Sequence, residues 1–143
     1  MRSNLFYDKQ DIRKLDTRRG LYLAIAILAF LITEFSRFVY RPYIYKNDIY
    51  DYGLADGIGN LGGIVVQVFA MLVVFNSYGV KAFRLIVFLV LGYVLYEFLQ
   101  PLLPKGVFDP IDVYATFIGG FVAFRLVLLI QYRLKENRVY FNL

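Results

Sequence analysis

The chain has no cysteine and no histidine. Disulfides, thiolate nucleophiles, imidazole bases and Cys/His zinc sites are therefore excluded, and any chemistry must come from carboxylates, amides, hydroxyls, lysine or arginine. Charge is also scarce: 19% of residues are charged, against about 25% in an average soluble domain. Those charges are crowded into a few short segments, so long apolar stretches remain between them. Low-complexity tracts and flexible linkers are missing too. The 143 residues fit one compact bundle, a single membrane domain over 1–143, with no room for a second.

What is present is apolar. The hydrophobic fraction is 59%, above the roughly 45–50% of soluble domains. Leu21 to Ile32 is an unbroken apolar run, and continuing through Thr33 and Glu34 to Tyr40 gives a first span over 20–40. About 20 such residues cross a hydrocarbon core of about 30 Å. Further spans are predicted over 57–79, 82–103 and 111–132. Four spans of that length leave almost no chain for a polar exterior, so the fold class is all-α, an integral membrane four-helix bundle. Arg18 and Arg19 precede the first run as in a signal peptide, but Thr33-Glu34-Phe35-Ser36-Arg37 follows it with no small-x-small cleavage site. The first helix is expected to be retained.

The basic residues set an expected orientation. Eleven flank one side: Arg2, Lys9, Arg13, Lys14, Arg18 and Arg19 before the first span, Lys81 and Arg84 between the second and third, and Arg133, Lys135 and Arg138 in the tail 133–143. Arg37, Arg41, Lys46 and Lys105 flank the other. Both termini are predicted to be cytoplasmic. Arg125 lies inside the fourth span, about 10 Å from its cytoplasmic end at about 1.5 Å per residue, and can snorkel. The net charge of +5 is thus placed for a membrane surface and not for nucleic acid. The basic segment 1–20 reads as a cytoplasmic, interfacial helix against anionic lipid. Tyr40, Tyr43, Tyr45, Tyr50 and Tyr52 suit the opposite headgroup layer, where Arg41 to Ala55 is expected to lie as the one long loop.

The chain contains an internal echo. Glu34-Phe35 and Glu97-Phe98 each end a span, and each is followed by an aspartate pair, Asp51 with Asp56 and Asp109 with Asp112. The next spans open Asp56-x-x-x-Asn60-x-Gly62-Gly63 and Asp112-x-x-x-Thr116-x-x-Gly119-Gly120. Two explanations are open: a parallel repeat of two helix hairpins, related by an axis along the membrane normal, or coincidence of short motifs. Either way, Glu34, Asp56, Asn60, Glu97, Gln100, Asp109, Asp112 and Thr116 are placed near one depth in the outer leaflet, and they are the candidate ligand-binding residues. Helical spacing puts Phe30, Glu34, Arg37 and Arg41 on one stripe. Asp56, Asn60, Gly63 and Gln67 form a second, Tyr93, Glu97 and Gln100 a third, and Asp112, Thr116, Gly119 and Ala123 a fourth.

Structural roles compete for the same residues. Glu34 can be a salt-bridge partner of Arg37 or Arg41. Asp56 and Asp112 can be helix caps. The Gly59-x-x-x-Gly63 pair and Gly119-Gly120 are expected to allow close helix packing, and Gln67 to donate an interhelical hydrogen bond.

Residues 96–120 read Tyr-Glu-Phe-Leu-Gln-Pro-Leu-Leu-Pro-Lys-Gly-Val-Phe-Asp-Pro-Ile-Asp-Val-Tyr-Ala-Thr-Phe-Ile-Gly-Gly. This stretch resembles the VanZ-like family, small multi-helix membrane proteins named for a teicoplanin-resistance protein. Glu97, Gln100, Asp109, Asp112 and Gly119 fall on that family's pattern. Gly106 stands where an arginine is usual and Thr116 where an asparagine is usual, which leaves open whether Lys105 substitutes or the family's activity is absent. The resemblance implies a multi-pass protein of the bacterial cytoplasmic membrane with an envelope role affecting glycopeptide susceptibility.

Three functions are compatible with these residues. One is a membrane protein whose carboxylate cleft binds an amphiphilic envelope ligand or a glycopeptide, in contact with membrane lipids and with no cofactor. The second is an enzyme using paired carboxylates on a lipid-linked substrate, with Mg2+ bridging to a phosphate. The third is a small transporter or a subunit of a membrane complex, as a homodimer or with an unrelated partner.

Overall fold

A computed structural model describes the backbone of residues 9–139 and the side chains of residues 17–134. The basic residues Arg2, Lys9, Arg13, Lys14, Lys135 and Arg138, used above to orient the chain, lie outside the described side chains. Every regular element among the described residues is helical. Helix α1 is Lys9–Phe35, followed by a π-helical turn Ser36–Tyr40 and α2, Arg41–Lys46. Helix α3 is Leu54–Val74, α4 is Val80–Leu99 with a 3-10 turn Gln100–Leu102, and α5 is Pro110–Val139.

Four stretches are long and apolar enough to cross a membrane: Thr17–Lys46, Leu54–Val74, Val80–Leu102 and Pro110–Leu134. Their outward side chains agree. Leu28, Leu31, Phe88, Leu91 and Phe121 are each more than half exposed, forming an apolar surface that in water would drive association. The chain is a multi-pass, all-helical membrane protein.

Three boundaries differ from the sequence expectation. The basic segment before residue 20 is not a separate helix, because α1 runs through it without a break from Lys9. The first span does not stop at Tyr40: the chain stays helical to Lys46. Pro42 has no N–H and its ring crowds the carbonyl four residues back, which an α-helix cannot absorb. The turn before it widens instead, so that the Arg41 N–H reaches the Ser36 carbonyl, the i to i+5 pattern of a π-helical turn. Finally, α3 begins at Leu54 and ends at Val74. Its start follows Gly53 in the left-handed region at φ 79°, a conformation that costs glycine little.

Helix α3 is central. It packs against α1, α4 and α5, whereas the backbones of α1 and α4 stay more than 8 Å apart, Cα to Cα, among the described residues. The core joins Tyr22 and Ala26 of α1, Ile64, Val65, Val68, Phe69 and Leu72 of α3, Ala82 and Ile86 of α4, and Ala123, Val127 and Ile130 of α5. Most of it lies in the half of the bundle nearer the 75–79 connection. There Arg18 Nη2 donates to Asn76 Oδ1 at 2.9 Å, its guanidinium stands 4.6 Å from the Tyr78 ring centroid, and the Gly79 N–H donates to Gln131 Oε1 at 3.2 Å. That end is latched shut; the other end opens.

Small residues decide where helices touch. A β-carbon at Gly62 would overlap the Thr33 hydroxyl, and one at Gly119 would overlap the Leu61 carbonyl. These two glycines bring α1 and α5 against α3, the close approach that small residues permit in lipid. The packing expected of Gly119-Gly120 is present. The packing expected of Gly59 and Gly63 is not: nothing lies within 4 Å of a β-carbon placed at Gly59, and only the Tyr93 ring approaches one at Gly63. The spacing identified a glycine face but not the helix, if any, lying across it.

Candidate functional site

The open end of the bundle holds a cleft of about 650 Å3. Helix α1 and the π-helical turn contribute Phe30, Thr33, Glu34 and Arg37, and α2 contributes Arg41. Helix α3 forms the floor with Asp56, Gly59, Asn60, Gly63, Val66 and Gln67. Tyr93 of α4 and Asp112 of α5 complete the wall. Two of the helical stripes read from the sequence, Phe30-Glu34-Arg37-Arg41 and Asp56-Asn60-Gly63-Gln67, thus face each other across one space.

Most charges in the cleft are matched. Arg37 Nη1 donates to Glu34 Oε1 at 3.1 Å, and Arg41 Nη2 stands 3.4 Å from Asp56 Oδ1. Tyr45 strengthens the second pair, since its hydroxyl donates to Asp56 and accepts from Arg41 Nε at 3.1 Å. Ion pairs this exposed contribute at most about 1 kcal/mol each, but they neutralise the cleft wall.

Beneath the floor sits Glu97, only 1% exposed. Asn60 Nδ2 donates to its Oε1 at 2.9 Å and Gln100 Nε2 to its Oε2 at 2.6 Å. A buried carboxylate needs donors on both oxygens to offset desolvation, and these two amides supply them without a cation.

Two lining groups have no partner. Asp112 accepts no hydrogen bond and joins no ion pair among the described residues, and the charges that reach it are the carboxylates of Glu97, Asp109 and Asp56 and the guanidinium of Arg41. Gln67, expected to bond a neighbouring helix, makes no hydrogen bond among the described residues and faces the cleft instead.

Of the eight residues expected to bind a ligand, Glu34, Asp56, Asn60 and Asp112 line the cleft. Glu97 and Gln100 lie just behind it through the Asn60 bond. Asp109 and Thr116 are not part of the lining. Asp109 accepts from the Ile111 N–H at 2.8 Å and caps α5, while Thr116 is fully buried with its hydroxyl unpartnered.

The capping role open to Asp56 and Asp112 falls to their neighbours. Asp51 accepts from the Gly53 N–H at 3.1 Å and the Ala55 N–H at 2.7 Å, and Asp109 does the equivalent for α5. Each helix starts earlier than its apolar run, so Asp56 and Asp112 fall inside the first turn with their carboxylates turned to the cleft.

The structure adds Arg37 and Arg41 to the site, with Tyr45 beside them. Their helical register marks them, but a proline at 42 reads as the end of a helix. Gly106, where the VanZ-like pattern has arginine, packs so that a β-carbon would overlap the Gln100 carbonyl oxygen. This loop conformation therefore leaves no room for a side chain at 106, and Lys105 is exposed outside the cleft. No group of three or more acidic residues stands close enough to hold a metal ion among the described residues. Comparison with protein-family models, with curated proteins and with solved structures finds no match for the chain.

Proposed function

We propose that this protein binds an amphiphile bearing a cationic group, with the polar head in the cleft and the cleft facing the outer leaflet of a bacterial cytoplasmic membrane. Both termini are then cytoplasmic, a reading that the distribution of basic residues supports. The observation that carries this reading is the uneven charge balance of the cleft. Its two guanidiniums are paired, while Asp112 stands without a counter-ion among further carboxylates.

A cation entering there gains Asp112 and the field of Glu97 in a partly desolvated space, where electrostatic interactions are stronger than in water. The VanZ-like resemblance of residues 96–120 points the same way, toward a glycopeptide such as teicoplanin, or a lipid-linked wall precursor, as ligand. The cleft of about 650 Å3 lies within the roughly 300–1,000 Å3 of small-molecule sites.

The test is titration of teicoplanin onto the full chain in lipid nanodiscs. Losing one partner of a desolvated charge pair costs about 2–5 kcal/mol, so Asp112→Asn should weaken binding at least about tenfold, since about 1.4 kcal/mol is tenfold. Arg125→Gln, outside the cleft, should bind as the parent does. Equal affinity for the parent, Asp112→Asn and Glu34→Gln would defeat the proposal. Reporter fusions placing the termini on opposite faces would defeat the orientation.

A further inference from the structure

We infer that the cleft is loaded sideways from the bilayer, through the gap between α1 and α4, and that Gly59 and Gly63 form the track on which the ligand's acyl chain lies. The inference rests on the amphiphile reading and adds its route and its specificity determinants.

The gap is visible in the packing. Helices α1 and α4 both flank α3 but no Cα of one comes within 8 Å of the other among the described residues, and the space over Gly59 on the α3 face between them is empty. That face carries Gly59, Asn60, Gly63, Val66 and Gln67. Its two glycines are not used for helix packing, since the space over Gly59 is empty and that over Gly63 meets only the Tyr93 ring. Glycine in mid-helix is otherwise unfavourable, by about 0.5–1 kcal/mol relative to alanine. Its presence twice on this face fits a surface that something else approaches.

The depth of the cleft points to a lipid-like occupant. Asp56 and Gln67 are eleven residues apart on α3, about 16 Å at about 1.5 Å per residue. That is half of a hydrocarbon core of about 30 Å. A water-soluble ligand has no reason to reach so far. The inner part is bordered by Phe30, half exposed, and Val66, with the Gln67 amide between them. A chain joined to its head by an ester or amide would meet that amide with a carbonyl acceptor, while its cationic head reaches Asp112. A resident phospholipid with an amine head offers this chemistry and is the occupant inferred.

Photo-crosslinking tests the route. The full chain is reconstituted in phosphatidylcholine vesicles containing a trace of phosphatidylethanolamine with a diazirine in its acyl chain, and adducts are mapped by peptide mass spectrometry. Adducts should concentrate on peptides holding Phe30, Val66 and Tyr93, well above those holding the lipid-facing Phe121 and Leu129. Gly59→Leu should reduce them several-fold; it fills empty space, so the thermal transition should stay at or above that of the parent. Should Gly59→Leu unfold the chain, the Phe30→Cys/Tyr93→Cys pair, joined by a bis-maleimide in this cysteine-free sequence, closes the gap instead and should give the same loss.

Labelling spread evenly over the lipid-facing surface and unchanged by either closure overturns the inference. If closure has no effect but Asp112→Asn removes the adducts, the sideways route fails and the amphiphile site stands. If closure removes them and Asp112→Asn does not, the route stands and the cationic contact fails. Retention of the probe when teicoplanin is added supports resident lipid as the occupant, whereas displacement overturns that assignment in favour of an external acylated ligand.

Discussion

Breaking the contact between Asn60 and Glu97 tests how the site is built. Asn60 lines the cleft and Glu97 lies behind it, so their 2.9 Å hydrogen bond ties the floor of α3 to α4. Asn60→Ala leaves the carboxylate with Gln100 as its only donor. Stranding part of a buried charged group costs about 3 kcal/mol. Glu97→Ala strands two amides and opens a void, at a comparable or larger cost. The double variant removes donor and acceptor together, so its cost should fall short of the two single costs combined.

The shortfall is the coupling. Side-chain hydrogen bonds within membranes average about 0.6 kcal/mol and reach about 1.7 kcal/mol, and bonds to charged groups contribute about 1.5–3 kcal/mol. Full burial and the absence of a competing cation place this one near about 1.5 kcal/mol, roughly tenfold in the unfolding equilibrium. The assay is reversible unfolding in mixed micelles with increasing dodecyl sulfate. Glu97→Gln should be milder, because the Asn60 amide can rotate its oxygen toward the new NH2 group. Single-variant costs that add within about 0.5 kcal/mol, the agreement expected of independent sites, would refute the role given to this bond.

Two further outcomes follow from local geometry. Gly62→Ala should destabilise the fold by about 1–3 kcal/mol, the usual effect of overpacking, because its β-carbon meets the Thr33 hydroxyl, whereas Gly59→Ala should stabilise by about 0.5–1 kcal/mol; thermal melts in detergent compare them directly, and equal behaviour of the two would contradict the assigned packing. Asp51→Ala should lower stability by about 1 kcal/mol through loss of the α3 cap, while Asp56→Ala should stay within about 0.5 kcal/mol of the parent, as expected for loss of an exposed ion pair; the reverse order in the same melts would restore Asp56 as the cap.

Fold class was legible because apolar length is a one-dimensional signal: the four spans are written in the order of residues. The stripes of α1 and α3 were legible for a similar reason, since helical periodicity fixes which side chains share a face. What lay across from each face was not. Gly59 and Gly62 point only about 60° apart around the helix at about 3.6 residues per turn, and only the neighbours decide that Gly62 packs on Thr33 while Gly59 meets nothing. The same holds for Thr116, which shares a stripe with Asp112 yet is buried in the helix contact. Helix ends misled where a local rule was overridden. The expected first span ends at Tyr40, yet a wider turn accommodates Pro42 and the helix runs on to Lys46, and capping of α3, one of two readings of Asp56, is done by Asp51 from beyond Gly53.

The asymmetry of the bundle connects these details. Lipid gives helices no hydrophobic reason to close on one another, so a gap between α1 and α4 persists unless side chains bridge it. At the latched end, side chains tie α1 to α3 and to the 75–79 connection: Tyr22 meets Phe69 with ring centroids 5.6 Å apart, and Arg18 reaches Asn76. At the open end the polar side chains are satisfied without bridging α1 to α4. Glu34 is held by Arg37 on its own chain segment, Asp56 by Arg41 and Tyr45, and Glu97 by Asn60 and Gln100. Each of these contacts joins a helix to itself or to α3, and none joins α1 to α4. The cleft therefore stays open because its walls neutralise themselves. What is left over, the carboxylate of Asp112 near the mouth and the amide of Gln67 about 16 Å below the level of Asp56, marks the two ends of the cleft.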